Sequence, residues 1–427
     1  MERMDLLADL DARGLIHDTT DRGALAARLA AGPIGVYVGF DPTADSLHVG
    51  HLVGQLYLRR FQMAGHRPFP LAGGATGMVG DPSGRSEERN LLDADTLAHN
   101  VARIELQLQR LLDFGGGVNA ATLVNNADWT ASIGVLDFLR DVGKHVTINQ
   151  MLAKDSVRSR LDSDHGLSFT EFSYSLLQAN DFRHLYEHHG VELQAGGSDQ
   201  WGNIVAGVDL IRRSTGRAAF AITHPLVTKA DGSKFGKSVG GAVWLDPAKT
   251  SPYQFRQFWI QVDDQMVGRY LHMFSLRPLD DITDLVAAHQ EAPERRRAQR
   301  ALADELTALV HGEDALATAR AAAEVLFGGD PTGASEVVLD AIAAEVPAVA
   351  LPGAVEGVRV HELLTAAGLA KSNGEVTRLL SQGGVRAGSR VLDHSGELRA
   401  SDLLSGGYLL LRKGKRDYLV GKVSPTG

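Results

Sequence analysis

Two histidines three residues apart, His48 and His51, stand in the string YVGFDPTADSLHVGHL (37–52). At the start of a helix, that spacing puts both imidazoles on one face. A helix N-terminus already favours anions. Two imidazoles there could donate hydrogen bonds to phosphate groups, most usefully if those bonds strengthened as charge moved in the transition state. H-x-x-H alone is weak evidence, since a pair of capping or core histidines gives the same letters. Far downstream, KFGKS (234–238) carries two lysines in a loop that Gly232 and Gly236 would let move. Lysine supplies a compact positive charge suited to phosphates, although two isolated lysines usually mean a solvated basic loop. Tyr174, Gln178 and Asp181 form a third group. Steps of four and seven residues set them on one helical face. An aspartate there, beside Phe172, Tyr174 and Phe182, reads as a pocket wall more than as an ordinary amphipathic surface.

Such groups need elements to hold them. GPIGVYVGF (32–40) predicts a buried strand entering a turn, and Leu52, Leu56 and Phe61 recur with helical spacing within 48–64. RPFPLAGGATG (67–77) predicts a second strand running into a glycine-rich turn. Residues 107–114 close a helix, and ATLVNNADW (121–129) predicts a third strand. Strands alternating with helices give a parallel α/β sheet, and ligands bind such sheets beyond the carboxyl ends of the strands. The turns at 39–50 and 73–84 then lie at that edge. From 251 to about 327 strand signals fade, and amphipathic helices such as 293–311 dominate. Residues 328–357, rich in Ala, Val, Gly and Pro, predict a helix followed by a linker. Residues 358–423 predict a compact α+β unit, with helices at 361–367 and 374–382 and strands within 384–392 and 408–423. The expected boundaries are 1–248, 249–345, a linker at 346–356, and 357–427.

A chain of 427 residues exceeds one compact core, so two or three domains are expected. Hydrophobic residues at 44% and charged residues at 22% are ordinary for a globular protein. No apolar run approaches the roughly 18 residues of a membrane span. The opening MERMDLLADLDARG lacks a long apolar stretch, so a cytoplasmic protein is expected. Cysteine is absent, which excludes disulfides, thiolate metal sites and a cysteine nucleophile. Net charge is −9, but from Gly357 onward eleven Lys/Arg face six Asp/Glu, a balance of +5. That asymmetry suggests an anionic partner for the C-terminal segment.

The string at 37–52 resembles the HIGH signature of class I aminoacyl-tRNA synthetases, with Val49 in place of Ile. KFGKS resembles the KMSKS loop of the same class; Phe235 and Gly236 depart from the letters, while both lysines and the serine match. LAGGATGMVGDPSGRSEER (71–89), SFTEFSYSLLQANDF (168–182), GGSDQWGNI (196–204) and GGAVWLDPAKTSPYQFRQFWI (240–260) are similar, block by block, to the bacterial-type tyrosyl-tRNA synthetase family. The resemblance covers most of 37–260, continues through the helical region, and ends in VHELLTAAGLAKSNGEVTRLLSQGGV (360–385), which resembles an S4-type RNA-binding module with a looser match of letters. It implies a Rossmann-like parallel-sheet catalytic domain, then an α-helical domain and a small α+β S4-like domain.

The resemblance also implies roles. Tyr37 and Asp181 would hold the phenolic hydroxyl of tyrosine, and Tyr174 and Gln178 its α-amino group, with Asp81 nearby. Asp41 and Thr43 would lie at the ATP-side turn, and Asp199 and Gln200 near the ribose and the carboxylate. Gly39 and Gly197 would let the backbone approach the nucleotide, with turn chemistry as their plainer use. His48, His51, Thr43, Lys234 and Lys237, with Ser238 beside them, would stabilise the reacting phosphorus and departing pyrophosphate. No protein nucleophile is needed; catalysis would be positioning and electrostatics. The implied partners are L-tyrosine, ATP with Mg2+ riding on its phosphates, and tRNA(Tyr). No tightly bound cofactor, DNA or membrane partner is expected. The family is homodimeric, and 130–166 is a candidate interface. Zinc at His48 and His51 would lack further ligands at a recognisable spacing. A tryptophanyl-type enzyme is the rival within the class, and Tyr37 with Asp181 favours a phenol over an indole. A non-catalytic RNA-binding paralogue is disfavoured because both histidines and both lysines are present. A plain nucleotidyltransferase would need neither the helical nor the S4-like part.

Overall fold

The computed structural model describes residues 5–81, 92–152, 154, 157–158, 161, 166–233, 235–238 and 241–423, with the backbone alone at Lys237 and Ser238. The chain forms two compact units. One comprises Met1–Thr250 and Phe258–Val310, the other Ser251–Gln257 and His311–Gly427. The helices of 249–345 are thus shared between the two.

The first unit is built on six strands: β1 (Asp18–Thr19), β2 (Gly35–Phe40), β3 (Arg67–Ala72), β4 (Val124–Asn125), β5 (Val191–Gly197) and β6 (Phe220–His224). Their order is β1-β6-β5-β2-β3-β4. β2 to β6 run parallel, and β1 adds an antiparallel edge that the periodicity did not signal. The inner strands are almost wholly buried, as a parallel sheet covered on both faces requires. This is the Rossmann-like sheet expected. β4 is shorter than the run 121–129 suggested. The Asn125 side chain accepts from the Ala127 amide at 3.0 Å, a local turn that ends the strand and starts the helix Ala127–Thr130.

Helices flank the sheet. Val49–Met63 follows β2 across the turn 41–48 and packs against β2 and β3. Gln107, on the helix Ala94–Leu111, accepts from the Leu47 amide at 2.8 Å and fixes the turn before His48. Ser168 caps the helix Phe169–His189 by accepting from the Glu171 amide. That helix buries Phe182 and Leu185 completely. Cutting such a phenylalanine back to alanine costs about 3–5 kcal/mol, so the helix is held firmly in register. Two short antiparallel strands, β7 (Lys237–Ser238) and β8 (Gly241–Ala242), follow. Among the described residues, no helix is long and apolar enough to cross a membrane.

The second unit contains a sheet of β9 (Ala348–Leu351), β10 (Val385–Ala387), β11 (Arg390–Val391), β13 (Tyr408–Lys413) and β14 (Asp417–Val423), with β12 (Leu403–Leu404) pairing to β13. β13 alternates strictly. Tyr408 and Leu410 join one core with Val325, Leu339 and Ile342, while Leu409 and Leu411 join another with Val360, Leu364 and Val376. The stretch expected as a linker, 346–356, contains β9, which runs parallel to β14 and buries Leu351. Low charge and flanking prolines resemble a linker, yet an apolar run of four residues with a ladder to join becomes an edge strand.

Candidate active site

The predicted pocket wall is assembled around Asp181. Its carboxylate is fully buried and accepts from the Trp129 indole at 2.8 Å and from the Asn126 side-chain amide at 3.0 Å. Burial is the main influence and raises its pKa to about 7, against the lowering effect of those two donors. Asn126 also donates to the Thr76 hydroxyl at 3.1 Å, and Thr76 donates to Asp41 at 3.0 Å. The other oxygen of Asp41 accepts from the Tyr174 hydroxyl at 2.9 Å. One chain of polar contacts therefore links Asp181 to Tyr174 by way of the turns after β2, β3 and β4. Gly73 makes the closest step possible, because a Cβ there would stand 2.5 Å from both Asp41 Oδ1 and Thr76 Oγ1.

Tyr37 lies on β2 with its ring 5.4 Å from Phe182. Its hydroxyl is buried without a hydrogen-bond partner, and so is Oε1 of Gln178. Buried polar atoms of this kind are costly unless something answers them. A hydroxyl would answer the first and an ammonium group the second. Burial, and then the nearby carboxylates, keep the Tyr37 and Tyr174 phenols neutral, well above their ordinary range.

Asp81 accepts from the Gln200 side chain at 2.7 Å, and Asn203 donates to Gln200 at 3.4 Å. Lys154 reaches Asn203 at 3.4 Å. Burial lowers the Lys154 pKa to about 8, with Asp81 pulling the other way. Asp199 is exposed on the turn Ser198–Gln200, directly after Gly197 at the end of β5.

His48 is the N-cap of the helix Val49–Met63. Its Nδ1 accepts from the Gly50 amide at 3.0 Å, and Nδ1 of His51 accepts from the His48 amide at 3.2 Å. The rings stack at 3.9 Å. With both Nδ1 atoms accepting, the neutral imidazoles carry their protons on Nε2 and present two N–H donors at a helix N-terminus. Capping and phosphate binding are thus compatible. The second signature arrives at the same place: a Cβ on Gly236 would stand 2.9 Å from Val49 Cγ2, and Val49 donates to the Val243 carbonyl at 3.0 Å. Phe235 anchors that loop among Phe258, Trp259, Tyr270 and Phe274. Lys234 lies outside the described residues. Lys237 and Ser238 form β7. Thr43 is exposed in the turn after β2, and Gly39 is exposed within β2.

Tyr37, Asp41 and His48 therefore come from one strand–turn–helix passage; Thr76, then Asn126 with Trp129, then Asp199 with Gln200 follow β3, β4 and β5 at the same edge of the parallel sheet, while Tyr174, Gln178 and Asp181 stand on the helix Phe169–His189 that precedes β5. Thr76, Asn126, Trp129, Asn203 and Lys154 were not singled out from the sequence. The cluster of polar residues in NNADW, directly after a strand, was the available signal for two of them.

Residues 29–328 match the family model described as tRNA synthetases class I (W and Y), and 339–420 match a tyrosine–tRNA ligase SYY-like C-terminal domain. The chain is 52% identical over 426 residues to the tyrosine–tRNA ligase of Opitutus terrae, covering 98% of this chain and 100% of that one. It is 49% identical over 417 residues to the tyrosine–tRNA ligase of Roseiflexus castenholzii, covering 97% and 98%. A C-terminally truncated mitochondrial tyrosyl-tRNA synthetase of Aspergillus nidulans superposes with a TM-score of 0.70 at 33% identity, covering 76% of this chain and 95% of that one.

Proposed function

Because the chain belongs to the tRNA synthetases of class I (W and Y), we infer that it activates tyrosine with ATP, releases pyrophosphate, and transfers the tyrosyl group to the terminal ribose of tRNA. It is an aminoacyl-tRNA synthetase of tyrosine type, similar over nearly its full length to tyrosine–tRNA ligases. The observation that carries tyrosine over tryptophan is the buried pair of Tyr37, whose hydroxyl has no protein partner, and the Asp181 carboxylate. ATP–pyrophosphate exchange against all twenty amino acids tests this: exchange with tyrosine is expected, and exchange with tryptophan alone would overturn it.

We assign the tyrosine hydroxyl to Tyr37 and Asp181, and the ammonium group to Tyr174 and Gln178, with Asp81 behind Gln200. The unpartnered Gln178 oxygen and the Asp41–Tyr174 contact support this end of the pocket. The substrate carboxylate attacks the α-phosphorus of ATP in line. Bonding to that phosphorus forms as the bond to pyrophosphate breaks. The Nε2–H groups of His48 and His51 donate to phosphate oxygens as negative charge shifts onto them, and Thr43, Lys234, Lys237 and Ser238 act on the same phosphates. Gly39, Asp41, Gly197, Asp199 and Gln200 shape the nucleotide side. A ribose hydroxyl of tRNA then attacks the mixed anhydride and AMP leaves. Magnesium enters on the phosphates of ATP, as part of the substrate.

Further assignments concern the whole chain. The basic segment beyond Gly357 is taken to contact tRNA, on its +5 balance. Residues 1–248, 249–345 and 357–427 remain the proposed functional divisions. Two copies are proposed to pair through 130–166, where Val135, Leu136, Leu139 and Ile148 are exposed apolar side chains. Analytical ultracentrifugation of Leu136→Asp, expected as a monomer, tests that pairing. The proposed site of action is the cytoplasm.

A further inference from the structure

Behind the proposed hydroxyl site stands a column of rings that the chemistry above does not use. Trp129 is nine-tenths buried and donates its indole N–H to Asp181 at 2.8 Å. The direction of that N–H is set by the plane of the indole. His184, three residues after Asp181 on the helix Phe169–His189, lies flat against that plane, with ring centroids 4.4 Å apart and planes 13° apart. His188 follows at 4.5 Å, and His189 sits 6.0 Å from His184 and 5.9 Å from Phe69. The imidazole stays neutral because it is partly buried beside His188, His189 and Arg183, which lower its pKa to about 4. A neutral ring can stack on the indole without carrying a charge into the interior.

We propose that His184 is a positioning residue for tyrosine selection: its imidazole fixes the plane of Trp129, which in turn aims the carboxylate of Asp181 at the substrate hydroxyl. The inference rests on the assignment of that hydroxyl to Asp181. The ring matters here as a flat plate, so another aromatic residue should replace it and a small one should not.

The test compares His184→Ala, His184→Phe and Asp181→Asn in tyrosine- and phenylalanine-dependent pyrophosphate exchange, with the 15N-indole signal of Trp129 followed by NMR. For His184→Ala, KM for tyrosine should rise and the tyrosine-over-phenylalanine ratio should fall, each about 2- to 10-fold, the range of one aromatic contact. The kcat for tyrosine and the KM for ATP should stay within about twofold of the parent, a split that general destabilisation would not produce. The Trp129 signal should shift in His184→Ala, and His184→Phe should restore all three readouts. An unchanged KM and ratio in His184→Ala overturns the proposal, as does a His184→Phe protein as impaired as His184→Ala. If Asp181→Asn narrows selection while His184→Ala leaves it intact, only the role of His184 fails. If Asp181→Asn itself leaves selection intact, the hydroxyl assignment fails first.

Discussion

A buried carboxylate with a raised pKa is an expensive way to line a pocket, and at Asp181 the proposed assignment to the substrate hydroxyl gives it a use. On that assignment, phenylalanine would leave the Tyr37 hydroxyl without a partner and Asp181 short of one donor, at roughly 1–3 kcal/mol for an unpaired group. Asp181→Asn should therefore narrow the tyrosine-over-phenylalanine ratio of kcat/KM more than Tyr37→Phe does, because a charge-assisted bond is the stronger kind. If neither change narrows it, other residues read the hydroxyl. Asp181 accepts best when ionised, and its pKa is raised to about 7. The kcat/KM for tyrosine should then fall as pH drops through about 7, with that limb absent in Asp181→Asn. The sign for stability is opposite. A raised carboxyl pKa stabilises the fold fully only below the ordinary carboxylate range, and that contribution is lost as pH rises through about 7. Tyr174, Gln178 and Asp181 were legible because helical spacing is local. Asn126 and Trp129 reach Asp181 across 55 and 52 residues, and no spacing rule foretells such a contact.

Elements set how the two signatures meet. The helix that His48 caps and the loop that Gly236 bends were each readable as letters, but their contact depends on a strand-like crossing of 47–49 with 243–245. Gly236 has φ +94, and an added Cβ would press on Val49. Gly236→Ala should strain that junction and, on the proposed role of the loop, displace Lys237 from the phosphates. The expected result is slower single-turnover adenylate formation with tyrosine affinity unchanged in equilibrium dialysis. Lys237→Ala should give the same split for a chemical reason, since in the proposed role its charge acts mainly in the transition state. Weakened tyrosine binding at an unchanged rate in either variant would remove the loop from the chemistry. Element type was legible wherever an apolar period was long, as in Val49–Met63, and least legible in short runs. Four apolar residues at Ala348–Leu351 are a strand only because β14 offers a partner, and the run 121–129 stops early because Asn125 bonds its own backbone.

At the scale of the molecule, the basic C-terminal segment was legible from charge, whereas the boundary of the unit that contains it was not. Composition placed a linker at 346–356, and on that reading a cut near Gly353 would release a separate RNA-binding piece. The packing argues for a different cut. Val325, Leu339 and Ile342 share one core with Tyr408, Leu410, Tyr418 and Val420, so a chain ending at Gly353 keeps the helices and loses the sheet they cover. It also keeps β9 without its partner β14. An unpaired strand and an uncovered apolar face both invite association. A chain ending at Gly312 removes both sides of that core together. Both truncations retain the proposed tyrosine pocket and the histidine pair, and the shorter one should be the better behaved, monodisperse in size-exclusion chromatography where the longer aggregates. The chain ending at Gly312 should exchange pyrophosphate with tyrosine at near the parent rate but charge tRNA poorly. In the full chain, tRNA affinity should fall steeply as salt rises, because phosphate contacts release bound counterions, and the truncated chain should show a shallower slope. Equal charging and an equal salt slope in the two proteins would mean that the basic segment makes no productive contact with tRNA.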